Sequence, residues 1–354
     1  MKARSSRPWL LSGVGVAGAV LAAELALRPL TTPLDNVWVP IPRENPITRP
    51  REVRRFTEGI AASHFSRARA RLTGNRPFAG GATGLILGDS YVEAVQVPDD
   101  KTMGSFLERS LRSAGSRVNV RQYGWSGADV PQYVQVAPAL IRRWDPAWVV
   151  VVITANDLGP DLLDGRIRLV RSPDGRWGAT ADTPDRRASR LRRIAEAALS
   201  RSVLLYHLSK RIQEAGLPLV GAGDEGAAGP ASTQAGGLPL QERARLALAA
   251  LRDAYGDRLR VLFIADVGVD GMSRNSPAEE AVLAACDTLG IRCADTRALM
   301  IRDRLDSLRL ARGFINSVPG LGHINALGHE LAARAMLGLV SPVSPAVRTP
   351  ASEN

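Results

Sequence analysis

Cysteine is nearly absent: the 354 residues contain two, Cys286 and Cys293. A disulfide-stapled scaffold needs more, and no Cys/His cluster has metal-ligand spacing, so that class and a zinc module are both excluded. Cys286 falls in a predicted helix and Cys293 in the strand after it. The pair reads as two small core residues in preference to one disulfide formed in an oxidising compartment. Lysine is equally scarce, with Lys2, Lys101 and Lys210 alone among 46 basic residues. The net charge of +11 therefore rests on arginine, and much of it lies early: residues 1 to 75 hold 12 basic and 5 acidic residues. With aromatics at 5%, no basic strand is interleaved with aromatics and no recognition helix is evident, which argues against nucleic-acid binding.

What is present is a globular composition, 45% hydrophobic and 23% charged. It excludes wholesale disorder and a polytopic membrane protein. At the N-terminus, Lys2, Arg4 and Arg7 precede an uncharged run from Trp9 to Ala23, followed by Glu24 and then Leu25, Ala26 and Leu27. Basic residues before an apolar run are an export signal. Extended to Leu27 the run approaches bilayer length. We read residues 1–28 as a signal anchor or transmembrane segment, favoured over a cleaved signal, with everything from residue 29 outside the cytoplasm, periplasmic or extracellular. The Gly13-Val-Gly15-Val-Ala-Gly18 match to G-x-G-x-x-G follows no strand and is discarded as a dinucleotide site.

Residues 29–80, rich in Pro and Arg, read as a stalk and irregular lead-in. A domain over 81–340 follows, with an insert at about 159–238 and a flexible tail at 341–354. Short strands are expected at Gly84–Leu87, Val118–Tyr123, Trp148–Ile153, Arg260–Val267 and Ile291–Asp295. Amphipathic helices alternate with them, including 240–255, 277–289 and 325–339. The run Trp-Val-Val-Val-Val-Ile at 148–153 is that of a central parallel strand buried on both faces. The alternation predicts a doubly wound α/β domain whose ligands bind beyond the carboxyl ends of the strands. Within the insert, Ile167–Trp177 reads as a small hairpin, followed by a basic helix and a loose Ala/Gly-rich stretch.

Polar clusters fall at those ends: Gly88-Asp89-Ser90, Gly124-Trp-Ser-Gly127, Asn156-Asp157, and Gly322-His323-Ile324-Asn325 before the last helix. A serine at a strand-to-helix turn presents its hydroxyl outward, and a nearby histidine can take its proton. The anionic intermediate needs preorganised donors, and the Ser90 N–H, the Gly127 N–H and the Asn156 amide are candidates. Asp89 reads as a turn-stabilising residue and Asp157 as a hydrogen-bonding support. His329 reads as structural, and Trp125 as either pocket lining or packing.

These four blocks, in this order, resemble those of the SGNH (GDSL-type) hydrolases over roughly half the chain. The resemblance implies a flavodoxin-like three-layer sandwich and ester hydrolysis without cofactor or metal. It implies Ser90 as nucleophile and His323 as base, with the Ser90 N–H, Gly127 and Asn156 as oxyanion hole. Three positions depart from the pattern: Gln122, Ala155 and Gly320, the last standing where an aspartate usually orients the histidine. An acid from elsewhere, such as Asp303 or Asp306, or a backbone carbonyl must then hold His323. The expected substrate is an ester or O-acylated molecule, envelope glycans included. The rival readings are an O-acyltransferase using the same residues and an inactive envelope scaffold or glycan-binding protein.

Overall fold

A computed structural model describes residues 7–29, 52–55, 58–66, 70–159, 162–163, 167–181, 202, 204–205, 237–274 and 276–341. Five parallel strands form the central sheet: β3 (Ala82–Gly88), β4 (Val118–Gly124), β5 (Trp148–Ile153), β8 (Leu259–Phe263) and β9 (Arg292–Asp295). They lie in the order β4-β3-β5-β8-β9. The order reverses beside β3, so the carboxyl ends of β3 and β5 flank the topological switch point.

Alternate side chains of each strand enter opposite cores, as a period of two requires. Leu85, Leu87, Val149, Val151, Ile153, Val261 and Phe263 face α4 (Val130–Trp144), α5 (Leu240–Tyr255) and α6 (Ser276–Leu289). Ile86, Val150, Val152 and Leu262 face α3 (Met103–Ser113), α7 (Arg297–Ser307) and α8 (Ala326–Val340). The result is the three-layer α/β sandwich expected, with all six residues of β5 buried. Gly84 is required within β3, because a Cβ there would stand 2.0 Å from the indole of Trp148 on the paired strand. Helix α7 had no strong apolar period to announce it; Met300 is its one buried residue.

The lead-in differs from a stalk: from Glu52 it packs on the domain. Strand β1 (Glu52–Arg55) pairs antiparallel with β2 (Ala61–His64). Val53 and Phe65 bury against Val95. The Arg71 N–H donates to the Gln122 carbonyl at 2.7 Å, which covers the outer edge of β4. The expected hairpin in the insert is present as β6 (Ile167–Arg171) and β7 (Trp177–Ala181). It is anchored by the Trp177 N–H donating to Asp253 on α5 at 2.8 Å. The basic helix, the Ala/Gly-rich stretch and the tail beyond Ser341 lie outside the described residues.

Two expectations change. Cys286 and Cys293 form a disulfide joining α6 to β9, so they are not a pair of free core thiols. Helix α1 (Arg7–Leu27) is continuous, with Glu24 in its last turns accepting hydrogen bonds from Ser202 and Leu204. Among the described residues, no helix is long and apolar enough to cross a membrane, so the spanning segment finds no support here.

His329 faces the core from α8, and its Nδ1 has no hydrogen-bond partner. Burial, helped by the nearby charges of Arg71 and His323, lowers its pKa to about 3. It stays neutral in the folded chain, whereas an unfolded histidine takes a proton below about pH 6.5. The stability it contributes is therefore full above that pH and is lost as pH falls toward 3. His329→Leu should remove this loss, gaining about 2 kcal/mol relative to wild type between pH 7 and pH 5. Urea denaturation at the two pH values measures it, and an unchanged gap would exclude a buried neutral His329.

Candidate active site

The turn after β3 is built by two glycines paired across the sheet, Gly88 and Gly124. A Cβ on Gly124 would stand 2.4 Å from the Glu93 nitrogen and 2.7 Å from the Asp89 carbonyl oxygen. Without it, the short helix α2 (Ser90–Glu93) settles directly on the end of β4. Asp89 caps this helix, accepting from the Tyr91 N–H at 2.9 Å, and Ala94 closes it in the left-handed conformation. Ser90 is the first residue of the helix and is half-buried at the rim.

The same helix fixes the next block. The buried Glu93 carboxylate accepts from the Ser126 N–H at 2.9 Å and the Ser126 hydroxyl at 2.5 Å. This holds the turn bearing Gly127, which is exposed and has a φ of +72°, a conformation glycine adopts without strain. Trp125 turns inward, edge-on to Tyr123 and Tyr133, so its role is packing.

At the end of β5, Asn156 and Asp157 occupy a short 3-10 turn over Ala155–Leu158. Asn156 is exposed, whereas Asp157 is buried and accepts from the Thr154 N–H, the Thr154 hydroxyl and the Tyr133 hydroxyl at 2.8–2.9 Å. Burial pushes Asp157 up to about 6 against those bonds. Burial, and then the charge of Asp157, push Asp89 well above the carboxylate range. Among the described residues, the N–H groups of Ser90 and Gly127 and the side chain of Asn156 have no protein hydrogen-bond partner. All three predicted oxyanion donors are thus unengaged.

His323 sits in the loop before α8, whose Asn325 cap also grips the Leu310 and Gly313 carbonyls at 2.7 and 3.0 Å. Neither Asp303, which pairs with Arg309, nor Asp306 orients it. That role falls to Glu58, a residue the sequence reading missed. One Glu58 oxygen accepts from the His323 backbone N–H at 2.7 Å, and the other lies 2.8 Å from His323 Nδ1. Gly322 makes room for it: a Cβ there would stand 2.2 Å from the carboxylate. Asn316 clamps the Glu58-Gly59 turn from the other side, exchanging two hydrogen bonds of 2.7 and 3.1 Å with the Gly59 backbone. Burial raises the Glu58 pKa, but the bonds and charge of His323 outweigh it, and the carboxyl ends below its usual value. No spacing signal could have revealed a partner so far from His323 in sequence.

Tyr91 brings the two segments together. Its ring lies 5.4 Å from the His323 ring, and its hydroxyl accepts from Arg312 at 2.5 Å. Arg312 also holds the Gly322 and Ala265 carbonyls at 2.9 and 3.0 Å, tying the histidine loop to the end of β8. No hydrogen bond joins Ser90 to His323. In unliganded sites such a bond is commonly long and tightens with substrate. Among the described residues no cluster of His, Cys, Asp or Glu could hold a metal ion.

No family model matches this chain, and no curated protein matches it. Several solved structures are similar to it. A lipolytic G-D-S-L family protein from Veillonella parvula is 12% identical, with 74% of this chain and 100% of that chain covered and a TM-score of 0.39. The acetylxylan esterase Axe2 from Geobacillus stearothermophilus is 13% identical, with 74% and 96% covered and a TM-score of 0.40. TesA is 14% identical, with 73% and 98% covered and a TM-score of 0.36.

Because the folded Asp157 keeps a proton to about pH 6, its contribution to stability is full near pH 4 and is lost as pH rises through 6. Asp157→Asn cannot titrate. The stability of wild type relative to that variant should fall from pH 4 to pH 7 in chemical denaturation; a gap that is flat or widens with pH would contradict the raised pKa.

Proposed function

We propose that this chain is a serine ester hydrolase. The observation that carries the reading is the Glu58 carboxylate gripping both the backbone and the ring of His323, with Tyr91 linking that ring to the turn of Ser90. Glu58 keeps the proton on Nδ1, which leaves Nε2 as the basic nitrogen. Ser90 Oγ attacks the ester carbonyl and its proton passes to Nε2. The new oxyanion is received by the Ser90 and Gly127 N–H groups and the Asn156 amide. Collapse breaks the C–O bond, the alcohol leaves with the proton from His323, and an acyl-Ser90 remains. Water attacks this ester, His323 takes the water's proton, and the acid departs with Ser90 restored. Glu58 is a positioning residue that stabilises the imidazolium as it forms.

We extend the reading to place: the domain works outside the cytoplasm, on O-acyl esters of the envelope, its glycans included. Support comes from the basic residues before the uncharged Trp9–Ala23 run and from the Cys286–Cys293 disulfide, which suits an oxidising compartment.

Activity on a p-nitrophenyl acetate series and labelling by a fluorophosphonate test the chemistry. Ser90→Ala should abolish both. Glu58→Gln should lower kcat by about 10²- to 10⁴-fold with the fold retained, and Asn156→Ala by about 10²- to 10³-fold. A well-folded wild type that is neither labelled nor active would sink the proposal in favour of a binding protein. Acyl transfer to an added glycan outrunning release of free acid would redirect it to a transferase.

A further inference from the structure

Glu58 reaches His323 from an unfavourable backbone. Its φ is +51°, in the left-handed region that a glutamate adopts only at an energetic cost. Such a conformation persists where neighbouring groups hold it. Gly59 follows with a φ of +103°, and a Cβ there would stand 2.3 Å from the Gln96 carbonyl oxygen, so the turn is pressed on the segment after α2. On its other side stands Asn316. The Gly59 N–H donates to Asn316 Oδ1 at 2.7 Å, and Asn316 Nδ2 donates to the Gly59 carbonyl at 3.1 Å. One amide thus satisfies both backbone groups of the residue after Glu58.

The loop that carries Asn316 is fixed to His323 itself. The Gly313 N–H donates to the His323 carbonyl and the Gly320 N–H to the Arg312 carbonyl, both at 3.1 Å, which closes the 313–320 loop at its base. At the tip the Ser317 N–H donates to the Phe314 carbonyl at 3.1 Å, and the Phe314 N–H to the Ser317 hydroxyl at 2.9 Å. This turn brings the Asn316 amide to Gly59 and leaves Ile315 97% exposed. The loop therefore meets the Glu58–His323 pair twice, at the histidine's own carbonyl and at the turn that bears its carboxylate. A glutamate side chain is flexible, and its grip on both the N–H and the ring of His323 requires that its backbone stay in place.

We propose that Asn316 is a positioning residue for the base: it holds the strained Glu58 turn so that the carboxylate meets His323 Nδ1 and keeps the ring proton there. Without the clamp the turn relaxes, and the imidazole is free to carry its proton on Nε2, where it cannot accept one from a serine. The proposal deepens the esterase reading and rests on it for its kinetics alone.

NMR of the full chain with isotopically labelled histidine nitrogens, at a pH where the imidazole is neutral, shows which nitrogen carries the proton, and His323→Ala identifies the signal. Wild type should hold the proton on Nδ1. Asn316 lies at an exposed tip, so Asn316→Ala should fold, and its signal should move toward the Nε2–H form, in the direction of Glu58→Ala. With p-nitrophenyl acetate, Asn316→Ala should lower kcat by about 10- to 10²-fold with KM held. In a Glu58→Ala background it should add less than about two-fold. Ile315→Ala, in the same turn but facing water, should match wild type in both readouts. A wild-type or Asn316→Ala signal that contradicts these forms, a loss expressed in KM, a full further loss once Glu58 is gone, or the same loss from Ile315→Ala would each overturn the proposal. An inactive wild type whose signal still shifts in Asn316→Ala would count against the esterase reading alone.

Discussion

One carboxylate governs this molecule's chemistry. Glu58 bonds the backbone and the ring of His323 at once, so the imidazole can neither swing nor choose its tautomer freely. Much of the surroundings serves that contact. Gly322 has no side chain because the carboxylate lies where one would be. Asn316 pins the turn that delivers Glu58, and Arg312 fixes the carbonyl just before His323. A carboxylate so held falls below its ordinary pKa, which keeps it ionised beside its partner.

The other half of the site is governed by steric room. The glycines ending β3 and β4 let α2 sit where Cβ atoms would collide with it. That helix then bears Ser90 at one end and, at the other, the Glu93 carboxylate that holds the Gly127 turn. Two buried carboxyls, Asp89 and Asp157, lie below at the switch point, each raised by burial. Their desolvation costs stability, while the hydrogen bonds they accept from Tyr91 and Thr154 fix the turns on which Ser90 and Asn156 are carried.

The sheet was readable from sequence because its strands are apolar runs that end in polar clusters. Trp148–Ile153 coincides with β5, and the other strands shift by a few residues. The placing of Ser90, Gly127, Asn156 and His323 on one rim was readable because each stands just after a strand or just before a helix. Glu58 was not: it lies in a Pro- and Arg-rich segment without period, and only the docking of β1 and β2 on Val95 brings it to the rim. Helix α7 was hidden by its alternation of Arg and Asp with leucine. The disulfide was underweighted because Cys286 and Cys293 also satisfy the pattern of ordinary core residues.

Glu58 leaves the ribosome before any strand of the central sheet, and His323 only after all five of them. A nascent chain therefore holds its serine turn long before it holds the imidazole that Glu58 grips. The Glu58–His323 contact can close only once the sheet between the two residues has been made.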